Sequence, residues 1–166
     1  LKDRGILFVV DATRDLLVNV LEYRPFLIKP NNHELGEIFH TELKTRESVV
    51  PFARKLQEMG ARNVLVSMSG EGAVLVDEYA QVHALPAPKG KLINAVGAGD
   101  SMVAGFLAGW LKCRDYRYAF HMGIAAGSGS AFSETLATQQ DVENVYRQVV
   151  QMQKEADGQP DISKGR

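Results

Sequence analysis

The chain has 166 residues, 45% hydrophobic and 23% charged, which is enough for one compact domain with a buried core. Its formal net charge of −1 provides no basic footprint and argues against a nucleic-acid partner. No apolar run reaches the length of a membrane span, no signal-peptide pattern opens the chain, and the single Cys113 can form no internal disulfide. These features fit a cytoplasmic protein with no membrane partner.

Leu1-Lys2-Asp3-Arg4-Gly5 has no starting methionine and reads as the last turn of a helix closed by glycine, as in a chain that begins within a fold. Ile6–Val10 has no polar alternation, so a strand buried on both faces is expected. A helical stretch through Leu16, Leu17, Val20 and Leu21 follows, then a short buried strand at Phe26–Ile28 stopped by Lys29-Pro30-Asn31. Glu34–Phe39 reads as helix, and Ser48–Met59 as a longer helix ending at Gly60. Pro51 fits the longer helix if it lies in the first turn.

Asn63–Met68 is a third strand. Ala73–Asp77 and Ala80–Ala84, separated by Glu78-Tyr79, suggest an antiparallel hairpin. Helices are expected at Asp100–Leu111, at Tyr116–Ala131, and from Asp141, as N-cap, to about Gln153. Lys154–Arg166 is polar and reads as a frayed tail, leaving residues 1–153 as the structured part. The order of elements predicts an α/β open sandwich, a mostly parallel sheet flanked by helices with an antiparallel edge hairpin.

The densest signal is Asn94-Ala95-Val96-Gly97-Ala98-Gly99-Asp100-Ser101-Met102-Val103-Ala104-Gly105. After the aspartate, Met102, Val103, Phe106, Leu107, Trp110 and Leu111 recur at helical spacing. Gly97-Ala98-Gly99 is therefore a small-residue loop at a helix N-terminus, where free N–H groups and the helix dipole suit an anion such as a phosphate. Asp100 is either a helix cap or a base that accepts a proton from an attacking hydroxyl.

Three further segments carry polar or small residues after apolar runs. Asn31 and Glu34 are spaced one helical turn apart, either capping a helix or acting through water on a magnesium ion. Ser67-Met68-Ser69-Gly70-Glu71-Gly72-Ala73 is either a plain link between strands or a loop where backbone and hydroxyls approach a ligand. Ile124-Ala125-Ala126-Gly127-Ser128-Gly129-Ser130 reads as a small-residue packing face on a helix.

Val96-Gly97-Ala98-Gly99-Asp100-Ser101-Met102-Val103-Ala104-Gly105-Phe106 resembles the second signature of the PfkB, or ribokinase-like, carbohydrate kinases. The resemblance runs from about Gly5 to Val150. It implies that Asp100 is the catalytic base and that Gly97, Ala98 and Gly99 form the anion hole. The Asn31-x-x-Glu34 spacing resembles the motif with which the family organises the Mg²⁺ of MgATP. Lys29 would approach the ATP phosphates.

Ser67, Ser69 and Gly72 resemble the family's nucleotide loop, with Ser69 standing where glycine is common. Ile124, Gly127 and Ser128 would border the adenine, while Asp11 and Arg14 would lie beside the active site. The implied reaction is ATP-dependent phosphorylation of a sugar phosphate.

Asp11-Ala12-Thr13-Arg14, Lys29-Pro30-Asn31 and Gly99-Asp100-Ser101-Met102-Val103 are most similar to the branch that phosphorylates the 6-hydroxyl of fructose 1-phosphate. The branches acting on tagatose 6-phosphate and fructose 6-phosphate are alternatives. Family members begin with a comparable N-terminal stretch bearing most sugar contacts and a lid used in homodimerisation, so this chain alone is expected to have little activity. The competing class is a non-catalytic nucleotide-binding domain.

Overall fold

The computed structural model describes residues 6–12 and 14–158. The expected helix end at Leu1–Gly5, Thr13, and the part of the expected tail from 159 to 166 lie outside the described residues. The chain forms two compact units, residues 1–87 and 88–166.

The first unit holds a five-stranded sheet in the order β1 (Val9–Val10), β2 (Leu27–Ile28), β3 (Asn63–Ser67), β4 (Ala73–Val76), β5 (Val82–Leu85). The ladders β1–β2 and β2–β3 are parallel, with Val9 opposite Leu27 and Ile28 opposite Val64. β3–β4 and β4–β5 are antiparallel, so the sheet is mixed and the expected hairpin occupies one edge. Strands β2 to β4 are buried almost throughout, as uninterrupted apolar runs require.

β1 differs from the expectation of a strand buried on both faces. Regular pairing covers only Val9 and Val10, and Ile6 and Leu7 are exposed. The physical reason is position: among the described strands β1 is an edge and pairs only with β2.

Three helices connect and cover these strands: α1 (Arg14–Asn19), α2 (Asn32–Ile38) and α3 (Arg46–Glu58). α3 buries Val49, Ala53 and Leu56, spaced as one helical stripe, in a cluster with Ile28, Leu35, Val64, Val66, Val74 and Val76. Full burial of each such aliphatic side chain contributes about 1.5–3 kcal/mol. Asn63, fully buried, ties the sheet crosswise. Its Nδ2 donates to Phe26 O at 2.8 Å, and its Oδ1 accepts from Glu78 N at 2.9 Å.

α3 begins earlier than expected. Thr45 is its N-cap and forms a reciprocal capping box with Ser48, so Pro51 lies in the second turn. There the missing N–H leaves the Glu47 carbonyl without its helical partner. Pro51 is exposed, which lets water serve that carbonyl.

The second unit contains α4 (Ala98–Cys113), α5 (Tyr116–Ala131) and α6 (Gln139–Gly158). α4 and α5 approach through glycines. A Cβ on Gly105 would lie 2.5 Å from Met122 O and 2.6 Å from the Ala126 Cβ, and one on Gly109 would lie 2.9 Å from the Ala119 Cα. Aromatic packing closes the helical corner, with Phe106 and Tyr116 rings 6.4 Å apart and the Arg114 guanidinium 3.9 Å from the Trp110 ring centroid.

α6 starts at Gln139, not at Asp141. The Thr138 hydroxyl donates to Asp141 Oδ2 at 2.7 Å, and the Thr138 N–H donates to the same oxygen at 2.9 Å. Asp141 is thus the acid one turn into the helix, and these bonds, the hydroxyl's above all, hold its carboxyl below the ordinary value. α6 also continues to Gly158, so residues 154–158, expected in the tail, are helical.

Gly105→Ala tests the close approach of α4 and α5. Alanine improves intrinsic helix propensity by about 0.8–1 kcal/mol, but overpacking against a carbonyl and a methyl group costs about 1–3 kcal/mol. The clash is expected to win, lowering the melting temperature in a thermal unfolding scan. An unchanged or higher melting temperature would show that the two helices part freely.

Candidate active site

In the first unit, the candidate residues gather at the carboxyl ends of the parallel strands, where open α/β sheets bind ligands. Lys29 follows β2 directly and is 6% exposed. Its Nζ lies 3.3 Å from Asp11 Oδ2, just beyond β1, while its backbone N–H donates to Val10 O. The two residues are 18 positions apart in the sequence, and the structure makes them a pair. A desolvated ammonium beside a more exposed carboxylate keeps its charge compensated without filling its three donor positions.

Asn31 is the N-cap of α2 and pairs with Ser67 through an isolated parallel bridge, bringing the ends of the second and third strands together. Asn31 Oδ1 accepts from Glu34 N at 2.8 Å, and Glu34 Oε2 accepts from Asn31 N at 2.8 Å. The capping reading of this motif is therefore realised. It leaves the second oxygen of Glu34 and the second lone pair of Asn31 Oδ1 available.

Among the described residues, no group of three or more His, Cys, Asp or Glu side chains could hold a metal ion. One carboxylate and one amide suit a hard cation that keeps its waters and takes its other ligands from phosphates. That donor set is compatible with a hydrated hard cation such as Mg²⁺.

Ser69 and Gly72 frame a tight 3₁₀ turn, Ser69–Glu71, between β3 and β4. Ser69 has φ +49° and Gly72 φ +95°, both in the left-handed region. At Gly72 only glycine fits, because a Cβ there would run into the Leu85 carbonyl oxygen and lie 2.5 Å from the Pro86 carbonyl carbon. Arg46 Nη1 donates to Glu71 O at 2.6 Å and braces the turn from α3. Ser67 is half-buried and Ser69 exposed.

In the second unit, Gly97 is the N-cap of α4 with φ +77° and ψ −1°, a left-handed conformation. Ser101 N donates to Gly97 O at 2.9 Å, the first bond of the helical ladder. The amides of Gly99 and Asp100 precede that bond and have no acceptor within the helix, which gives the positive end of the dipole two free donors.

Asp100 is exposed, and its carboxylate has no hydrogen bond or ion pair among the described residues. The contrast with the other first-turn acids is informative. Glu34 in α2 and Asp141 in α6 occupy the same position relative to their caps, and each bonds back to the cap's N–H. The cap of α2 is extended, with φ −85° and ψ 170° at Asn31, which turns its N–H toward the acid. Gly97 is left-handed, and no such bond forms. The capping reading of Asp100 is not what the structure displays.

Ile124, Gly127 and Ser128 lie in the last two turns of α5. Gly127 is packed against the start of α4, where its Cβ would stand 3.0 Å from Ala98 O and 3.1 Å from the Met102 Cβ. Ile124 is 2% exposed, and the Ser128 carbonyl accepts from Phe132 N. For Gly127 the geometry matches the packing reading. Nothing local in the sequence marked Ser130, whose Oγ lies 2.8 Å from Ser101 Oγ beside Asp100. Arg14 starts α1.

A model of the pfkB family carbohydrate kinase matches residues 4–142. Over 148 residues the chain is 47% identical to the 1-phosphofructokinase of Bacillus subtilis, covering 89% of this chain and 48% of that protein. It is 33% identical over 141 residues to the D-tagatose-1-phosphate kinase of Klebsiella oxytoca, covering 85% and 46%. The structure of Escherichia coli phosphofructokinase-2 in complex with substrates and products superposes with a TM-score of 0.82 at 29% identity, over 90% of this chain and 49% of that one.

Arabidopsis thaliana ribokinase, at 18% identity and a TM-score of 0.72 over 88% of this chain and 49% of that one, shares the fold. The chain spans about half the length of the curated relatives it matches. The family match over most of the sequence, together with a relative 47% identical across 89% of it, establishes that the chain belongs to the pfkB family of carbohydrate kinases.

Proposed function

We propose that this chain is the ATP-binding and proton-abstracting part of a kinase that phosphorylates a sugar phosphate, with fructose 1-phosphate as the favoured acceptor. The observation that carries the reading is Asp100: an exposed, uncommitted carboxylate in the first turn of α4, next to two amides that have no helical acceptor. A carboxylate left free in this way suits a base, and the adjacent amides suit the charge of a transferring phosphoryl group.

In the proposed reaction the acceptor hydroxyl oxygen attacks the γ-phosphorus of ATP as Asp100 takes the hydroxyl proton. The new P–O bond forms while the bond to the bridging oxygen breaks, and ADP leaves with that electron pair. The amides of Gly99 and Asp100 and the α4 dipole bear on the non-bridging oxygens. Magnesium bound with the nucleotide would neutralise phosphate charge. Glu34 and Asn31 would hold its water shell, with Lys29 supplying positive charge to the phosphates.

Ser67, Ser69 and Gly72 offer hydroxyls and a close-approaching backbone to the nucleotide, and Ile124, Gly127 and Ser128 border the adenine. Fructose 1-phosphate is favoured because the relative 47% identical is named 1-phosphofructokinase. The name of the Klebsiella relative makes tagatose 1-phosphate a second acceptor to test. Fructose 6-phosphate is a third, because an Escherichia coli phosphofructokinase-2 structure, 28% identical, contains that sugar. The cytoplasm is the proposed location, where the nucleotide and sugar phosphates would be available.

Asp100→Asn in the complete polypeptide carrying this sequence should lower kcat on the order of 10³-fold and leave KM for ATP within about twofold. Loss of ATP binding with the fold intact would instead assign the carboxylate an organising role. A sugar-phosphate screen on the same protein identifies the acceptor, and absence of turnover with every one would overturn the kinase reading. The 166-residue chain alone is expected to bind MgATP in calorimetry with little phosphotransfer. Rapid phosphorylation of fructose 1-phosphate by it would show that its share of the sugar contacts is sufficient.

Glu34→Gln separates capping from magnesium organisation. Glutamine retains the capping box, so folding should be nearly unaffected. The magnesium concentration for half-maximal rate should rise about tenfold, as loss of an outer-sphere partner typically does. An unchanged magnesium dependence would leave Glu34 a capping residue only.

A further inference from the structure

The loop between α5 and α6 is tied to the start of α4 on both sides of the glycine turn. Asn94 Nδ2 donates to Glu134 O at 3.2 Å, ahead of the turn. Beyond it, Ser130 Oγ, in a residue 2% exposed, donates to Ser101 Oγ at 2.8 Å and accepts from Ala137 N at 3.0 Å. Leu136 lies between these ties. Its Cδ2 methyl sits over the α-carbon of Gly97, only 2.8 Å from where a Cβ would be.

Leu136 is 61% exposed, so burial in the core does not account for a leucine there. The contact with Gly97 does. Glycine moves between left-handed and extended conformations at little cost, so φ +77° at Gly97 is not secured by its own preference. In an extended conformation, the Gly97 N–H would turn toward Asp100 as the Asn31 N–H turns toward Glu34. The carboxylate would then be captured in a cap and the anion loop would change shape.

We propose that Leu136 is a positioning residue. Its methyl group, carried on a loop whose backbone is tied by Ser130 and Asn94, keeps Gly97 left-handed and thereby keeps Asp100 free and the amides of Gly99 and Asp100 aimed outward. The catalytic consequence rests on the kinase reading above; the conformational one does not.

Leu136→Ala removes the methyl group from an exposed loop position, where folding is expected to survive. In the 166-residue chain, the backbone chemical shifts of Gly97 should move toward extended values, and exchange of the Gly97 amide should slow on the order of tenfold as Asp100 accepts its N–H. In the complete polypeptide, kcat should fall on the order of tenfold with KM for ATP within twofold, because misplacement of the base and donors affects the transition state. Leu136→Met should restore both.

Ser130→Ala, which releases Ser101 and Ala137 together, should act in the same direction. Unchanged Gly97 shifts and Gly97 amide exchange in Leu136→Ala would overturn the proposal. Altered shifts with an unaltered kcat would overturn the positioning role. An inactive unsubstituted protein would count against the kinase reading, and the shifts would still decide whether Leu136 holds the turn.

Discussion

The left-handed turn at Gly97 is the constraint on which the candidate site depends. A residue with a Cβ would be strained at φ +77° and would press on Leu136, so the turn requires glycine. Because glycine has no side chain, α4 begins without a side-chain cap. Two consequences follow from this residue and its left-handed backbone: donors remain unpaired at a helix N-terminus, and the first-turn acid is not drawn back to the cap. An ordinary capping residue at position 97 would add roughly a few tenths of a kcal/mol to the helix relative to glycine and would remove both features. Local stability and site chemistry make opposite demands here, and the structure follows the second.

The rest of the helical unit supports that choice. Gly105, Gly109, Gly123 and Gly127 let α4 and α5 approach closely, and Gly127 brings α5 against Ala98 itself. The Ile93 and Asn94 amides both donate to Ala131 O, which fastens the strand of loop entering the turn to the end of α5. The first turn of α4 is therefore anchored by packing and hydrogen bonds from outside the helix. Capping energy forgone at Gly97 is offset by these tertiary contacts.

Much of this was legible in the sequence because it is written in local residue chemistry. The hairpin around Glu78-Tyr79, the bounds of α5, and the glycine loop opening α4 each depend on a few adjacent residues. Helix starts were less legible where two capping sequences compete. Ser48 looked like the entry to α3 and Asp141 the cap of α6, yet Thr45 and Thr138 lie one turn earlier and complete reciprocal boxes.

The exposed edge at β1 could not be read from Ile6–Val10, because burial of a strand depends on which neighbours the sheet supplies. For the same reason the pairing of Lys29 with Asp11 and of Ser130 with Ser101 was invisible: each joins residues on different elements.

Under the proposed function, the Asn31–Glu34 motif combines a structural role with a chemical one. A capping box uses one oxygen of each side chain and orients both groups rigidly at the end of β2. What remains is one carboxylate oxygen and part of an amide oxygen, too few to bind magnesium tightly but enough to order its waters. Weak retention suits an ion that must enter and leave with a nucleotide, since a tight protein cage would hold product ADP as well. The cap also fixes the distance between the two groups to that of one helical turn, so their geometry does not have to be assembled on binding. In this reading, the hydrogen bonds that begin α2 are what make its first turn useful to a metal–phosphate complex.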